Sequence, residues 1–218
     1  MSFDKLDYEK AFKEIAFINQ YNARIATNLR RTQDLIDFAE NSFPKDRPSQ
    51  TKDDILRAAV VFLHATLEDF LRYIGSKYIP SSSEDVLNKI GLIGSSDRPE
   101  KFFLGKLAQH RDKTVDQLIA ESVETHLDKR SFSNTGDISH LLDSVGIPNS
   151  VVERRYQSLS ELMARRHEIV HKGDLKPTAN QEREREPEPI DASKVKEWYE
   201  TVFDFVSSVA GYKLEAGV

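Results

Sequence analysis

The stretch Arg165-Arg166-His167-Glu168-Ile169-Val170-His171-Lys172-Gly173-Asp174 closes a helical pattern that begins near Ser150. Val152, Tyr156, Leu159, Met163 and Val170 recur at helical spacing and predict its buried stripe. Gly173 supplies a left-handed stop. Two arginines and two histidines therefore gather at one helix end. Arginine carries permanent charge on a fork that matches phosphate geometry. Histidine moves protons near neutral pH. Together they point to work on a phosphodiester. A solvated cluster that merely caps the helix would use the same residues, because cations are common in last turns.

His167 and His171 are four apart and share a helix face. Arg166 lies five before His171, about 140° around a straight helix. The two converge only if the helix end distorts or a second chain completes the site. The spacing thus places any such site at a helix terminus and a subunit seam.

Upstream of this helix the pattern stays helical. Leu6, Ile15, Ile18, Ile25, Leu29, Leu35, Ile36 and Ala39 fall on one stripe and predict a helical extension over 4–41, straight or kinked. Pro44 and Pro48 break it. A central helix is expected from Thr51 to Tyr78, apolar on nearly every face over Ala58–Leu63. Shorter helices follow over 84–92, 99–109 and 115–129, the last opened by a Thr114/Gln117 capping box. A turn-rich link, 130–137, leads to a helix at 138–145. Beyond the motif, residues 174–190 alternate Glu and Arg and read as a flexible charged loop. A final amphipathic helix at 192–212 presents Val195, Trp198, Val202, Phe205 and Val209. The fold class is all-α, in one domain spanning 1–218.

Composition narrows the function. The 218 residues include 39% hydrophobic and 31% charged, enough for a core and far from disorder. There is no cysteine, which removes disulfides, thiolate catalysis and cysteine zinc sites and fits a reducing cytoplasm. The net charge of −5 argues against broad coating of nucleic acid. No apolar signal core stands in MSFDKLDYEKAF, and the longest apolar run, Ala58–Leu63, is too short for a bilayer, so no membrane association is expected. Phosphate-binding loops, dinucleotide fingerprints, HExxH and GxSxG are all missing from the sequence. No cofactor or metal is expected. His110, His126 and His140 are scattered and read as surface histidines. Arg154 and Arg155 read either as a phosphate track or as a solvated face.

Arg166-His167-Glu168-Ile169-Val170-His171 resembles the signature of the HEPN superfamily: Arg, usually a polar residue, then His after four to six positions. The spacer is four, or five if Arg165 is counted instead. Leu56-Arg57-Ala58-Ala59-Val60-Val61-Phe62-Leu63-His64-Ala65-Thr66-Leu67-Glu68-Asp69-Phe70-Leu71-Arg72 is similar to the family's preceding core helix. Arg130-Ser131-Phe132-Ser133-Asn134 with Gly136-Asp137-Ile138 is similar to the link of the RiboL-PSP branch. The resemblance covers about 51–212. It implies a HEPN-type antiparallel helical bundle with additional helices, dimerising so that Arg and His of both chains line one cleft. It further implies a metal-independent endoribonuclease acting on RNA in a toxin–antitoxin or anti-phage defence setting, with an antitoxin or similar partner. A second implied function is a silent module that binds RNA or a protein.

On this resemblance Arg166 and His171 are the catalytic pair, with His167, Arg165 and Glu68 supporting. Glu68 shares a polar stripe with His64 and Arg72. That stripe either braces the cleft or forms a surface ladder of weak pairs. Some family members carry a modifiable Tyr two residues after the His; here Gly173 stands there, so that mode of silencing is not expected.

Overall fold

The computed structural model describes residues 5–44, 48–93, 104–178 and 181–216. Among the described residues there are seven α-helices: α1 Lys5–Asn41, α2 Gln50–Tyr78, α3 Glu84–Leu87, α4 Val115–Asp128, α5 Thr135–Ser144, α6 Tyr156–Lys172 and α7 Ala192–Ala216. Short 3-10 turns lie at Ile79–Ser81, Leu104–His110, Asn149–Val151 and Glu153–Arg155. The predicted all-α class holds, and α1 is one continuous helix.

The residues group into two compact units: 1–66 with 165–203, and 67–164 with 204–218. In the first unit the buried side chains come from α1 (Ile25, Leu29, Ile36), α2 (Leu56, Val60, Leu63) and α7 (Val195, Trp198, Val202). Burying each such side chain contributes roughly 1.5–3 kcal/mol. Lys196 of α7 pairs with Glu40 of α1.

The second unit buries Phe70, Leu71 and Ile74 of α2 together with Leu127, Leu141, Leu142, Leu159 and Phe205. Phe70 and Phe205 meet edge to face, with ring centroids 6.3 Å apart. At Gly75 a β-carbon would come within 2.9 Å of the Leu127 side chain and 3.1 Å of Leu141, so a larger residue there would force those side chains of α4 and α5 to shift. The Thr114/Gln117 capping box opens α4 as predicted. Asn134 accepts from the Asp137 amide and starts α5 three residues before the expected 138.

Two expectations are corrected. Residues 174–190 were expected as a flexible loop, yet β1 Leu175–Thr178 and β2 Gln181–Pro187 form an antiparallel hairpin. Leu175 pairs with Pro187 and Pro177 with Arg185, and the register slips between Pro177 and Thr178. The sequence Gln181-Glu182-Arg183-Glu184-Arg185-Glu186 holds no apolar residue, so a search for apolar periodicity passes over it. Val170, expected in the buried stripe of α6, is 46% exposed, and Leu162 is buried instead. The apolar side chains at 6, 15 and 18 and the helix start expected at 99 lie outside what the structure describes.

Candidate active site

The end of α6 is built by two consecutive left-handed residues, Gly173 (φ 63°) and Asp174 (φ 59°). The Asp174 amide turns back to donate to the Glu168 carbonyl at 3.0 Å. A non-glycine residue in this region is strained, so something must hold Asp174 there. Its carboxylate is buried and takes two guanidinium groups on one oxygen: Arg57 Nε at 2.6 Å and Arg165 Nη2 at 2.7 Å. Both arginines also donate to the Glu188 carbonyl, at 2.7 and 2.8 Å, and Arg165 pairs with the Glu188 carboxylate. Glu188 returns a backbone bond to the Asp174 carbonyl at 2.8 Å. The helix end and the base of the hairpin are therefore one charge-assisted knot.

Arg57 carries Asp54 as a second anion at 2.9 Å. Burial lowers its proton affinity, but the bonds to Asp174 and Asp54 outweigh that and hold the guanidinium above its ordinary value.

The two adjacent arginines thus separate. Arg165 is turned into the knot. Arg166 is half-buried and makes no ion pair among the described residues. His167 and His171 are both exposed, with ring centroids 4.7 Å apart and planes 46° apart, as their spacing requires. Glu168 is drawn aside by Lys172, 2.9 Å away. Among the described residues, the helix end leaves open the Arg166 guanidinium and the two neighbouring imidazoles, with exposed Val170 between them in sequence.

Glu68 accepts from the Phe132 amide at 3.2 Å and pairs with Arg72 at 3.7 Å. Arg72 also donates to the Arg130 carbonyl at 2.9 Å, so Glu68 and Arg72 brace the 130–134 link. The stripe is not a solvent-facing ladder: His64 is buried, and the Glu68 carboxylate is 15% exposed. Arg155 does not extend a phosphate track. It is buried, donates to Ser208 Oγ at 2.9 Å and faces Asp204 at 3.9 Å.

Arg57, Asp174 and Glu188 were not singled out from the sequence. One signal was there: Arg57 interrupts an apolar run on a central helix, and a charge in that setting needs a buried partner. Which acidic residue supplies it lies 117 positions away and only the fold reveals it. Among the described residues no His/Cys/Asp/Glu group could hold a metal ion, and no helix is long and apolar enough to cross a membrane.

No curated protein and no solved structure matches the chain. A model of the RiboL-PSP-HEPN family matches residues 7–212, a span that takes in both units and every residue of the helix-end cluster. The chain belongs to the RiboL-PSP-HEPN family.

Proposed function

We propose that the chain is an endoribonuclease that cleaves RNA by attack of a ribose 2′-OH on the adjacent phosphate, with no metal required. HEPN domains are often ribonuclease-like or RNA-binding, and family membership supports RNA as the substrate class. The observation that carries the catalytic reading is the division of labour at the end of α6. Arg165 is consumed by Asp174 and Glu188, while Arg166, His167 and His171 stay open to a ligand.

In this scheme His171 takes the proton from the 2′-OH, and O2′ forms a bond to phosphorus. The P–O5′ bond breaks, and an imidazole delivers a proton to O5′. The products are a 2′,3′-cyclic phosphate and a 5′-OH end. Arg166 binds the phosphate and stabilises charge developing on its oxygens. His167, against the His171 ring, orients it or the phosphate. A homodimer that brings two helix ends together would let His171 of each chain serve as acid and base in turn. Val170, apolar and exposed at this end, supports such a seam. Glu68 would contribute by bracing the 130–134 link. A defence or toxin role, with a partner that restrains the activity, follows from the same reading.

The test is cleavage of a labelled RNA with chelator present, with the product ends identified. Wild type should yield cyclic phosphate and 5′-OH ends, and Arg166→Ala and His171→Ala should not. Equal cleavage by all three proteins would remove the assignment. Tight RNA binding with no cleavage by wild type would favour the silent-module reading.

A further inference from the structure

Within the second unit lies a cavity of about 690 Å³ that none of the motif residues lines. Its apolar floor is Ile79, Val86 and Ile90. Around that floor stand Lys89, His126, Arg130 and His140, with Asp143 as the one carboxylate among the described residues. The volume is that of a small-molecule site, typically about 300–1,000 Å³ with a mostly apolar lining and few polar groups.

The wall is fixed by the fold before any ligand arrives. Ser82 Oγ donates to the Ser144 carbonyl at 2.9 Å, tying the turn after α2 to α5. Arg72 holds the Arg130 carbonyl at 2.9 Å. Asn149 Nδ2 donates to Asp143 Oδ1 at 2.8 Å, which commits that oxygen and fixes the orientation of the carboxylate. Arg130 faces Asp137 at 3.9 Å and lies over the Phe132 ring, 6.0 Å from its centroid. Among the described residues Lys89, His126 and His140 have no acidic partner.

We propose that this cavity binds a phosphomonoester of nucleotide size, its phosphate held by Arg130 and Lys89 and its body resting on Ile79, Val86 and Ile90. Two permanent cations and two imidazoles around one committed carboxylate exceed what a monocarboxylate would need. They suit a phosphate dianion, which an arginine fork engages bidentately. Asp143 retains an oxygen that can accept from a ligand hydroxyl. The environment of His126 agrees. Burial first, then the charges of Arg130 and Lys129, hold its imidazole below the ordinary value, so positive charge is felt at this wall of the cavity.

The experiment is calorimetric titration of the full chain carrying Arg166→Ala and His171→Ala, so that the helix-end cluster does not contribute. The probes are adenosine 5′-monophosphate, adenosine and inorganic phosphate in a phosphate-free buffer. The nucleotide should bind, adenosine at least about tenfold more weakly, and inorganic phosphate should displace the nucleotide. Lys89→Gln, at an exposed position that leaves the fold intact, should weaken the nucleotide by about tenfold, and Arg130→Gln by at least as much. No nucleotide binding, equal binding of adenosine, or indifference to Lys89→Gln would overturn the proposal. Because the motif is already disabled in this protein, failure here leaves the ribonuclease reading standing, and success does not depend on it.

Discussion

Replacing Asp174 with Asn leaves two buried guanidinium groups facing each other without their shared anion. Breaking a buried pair in this way costs about 3–5 kcal/mol, and Asp174→Asn should lower unfolding free energy by that order in urea titrations. A loss below about 1 kcal/mol would show that the knot contributes little. Arg165→Ala should behave similarly, since Arg165 serves the fold, whereas Arg166→Ala should change stability by no more than about 0.5 kcal/mol. His126 sets a pH dependence. Unfolded, its imidazole takes a proton near about pH 6.5; folded, burial and the Arg130 and Lys129 charges hold it lower. Between the two values the unfolded chain binds more protons, so stability falls as pH drops through that window and is unaffected well above it. Unfolding in phosphate-free buffer at pH 8 and pH 5.5 should show a smaller acid loss for His126→Gln than for wild type. Identical losses would contradict this. Of these residues, only the cluster at 165–171 was legible in the sequence. Arg57 and Asp174 were not, because their partnership is set by chain folding over a long separation.

The helix end and the hairpin base form one element-scale device. At Gly173 (φ 63°) a β-carbon would meet Leu175 at 3.8 Å, an ordinary van der Waals contact. Gly173→Ala should therefore cost only the backbone penalty, about 1–2 kcal/mol, measured by thermal or urea unfolding. A neutral result would mean that this turn is not the constraint described. Helices α1, α2, α4 and α7 were readable because apolar spacing and caps agree, as at Thr114 and Gln117. The hairpin was missed although Glu182-Arg183-Glu184-Arg185-Glu186 alternates with the period of a strand. That alternation is polar on both phases, so it signals no buried face. The exposure of Val170 was missed for the opposite reason: its spacing fits the buried stripe, yet it lies in the last turn of α6, beyond Met163, the last buried side chain of that helix.

Across the molecule, family membership spans residues 7–212 and the fold is all-α with one appended hairpin. The sequence signalled the class through helical periodicity and the family through a short motif backed by two longer stretches. It could not signal that His126 and His140, fourteen positions apart, would line one cavity, because that depends on how α4 and α5 are set. The ribonuclease account rests on His171 acting at the phosphate together with Arg166. Its most direct measurement is the single-turnover rate of RNA cleavage, with chelator present, for wild type and His171→Ala. The account predicts a fall of about a hundred- to ten-thousand-fold in the variant, the range for losing a general acid–base group. Equal rates would contradict it.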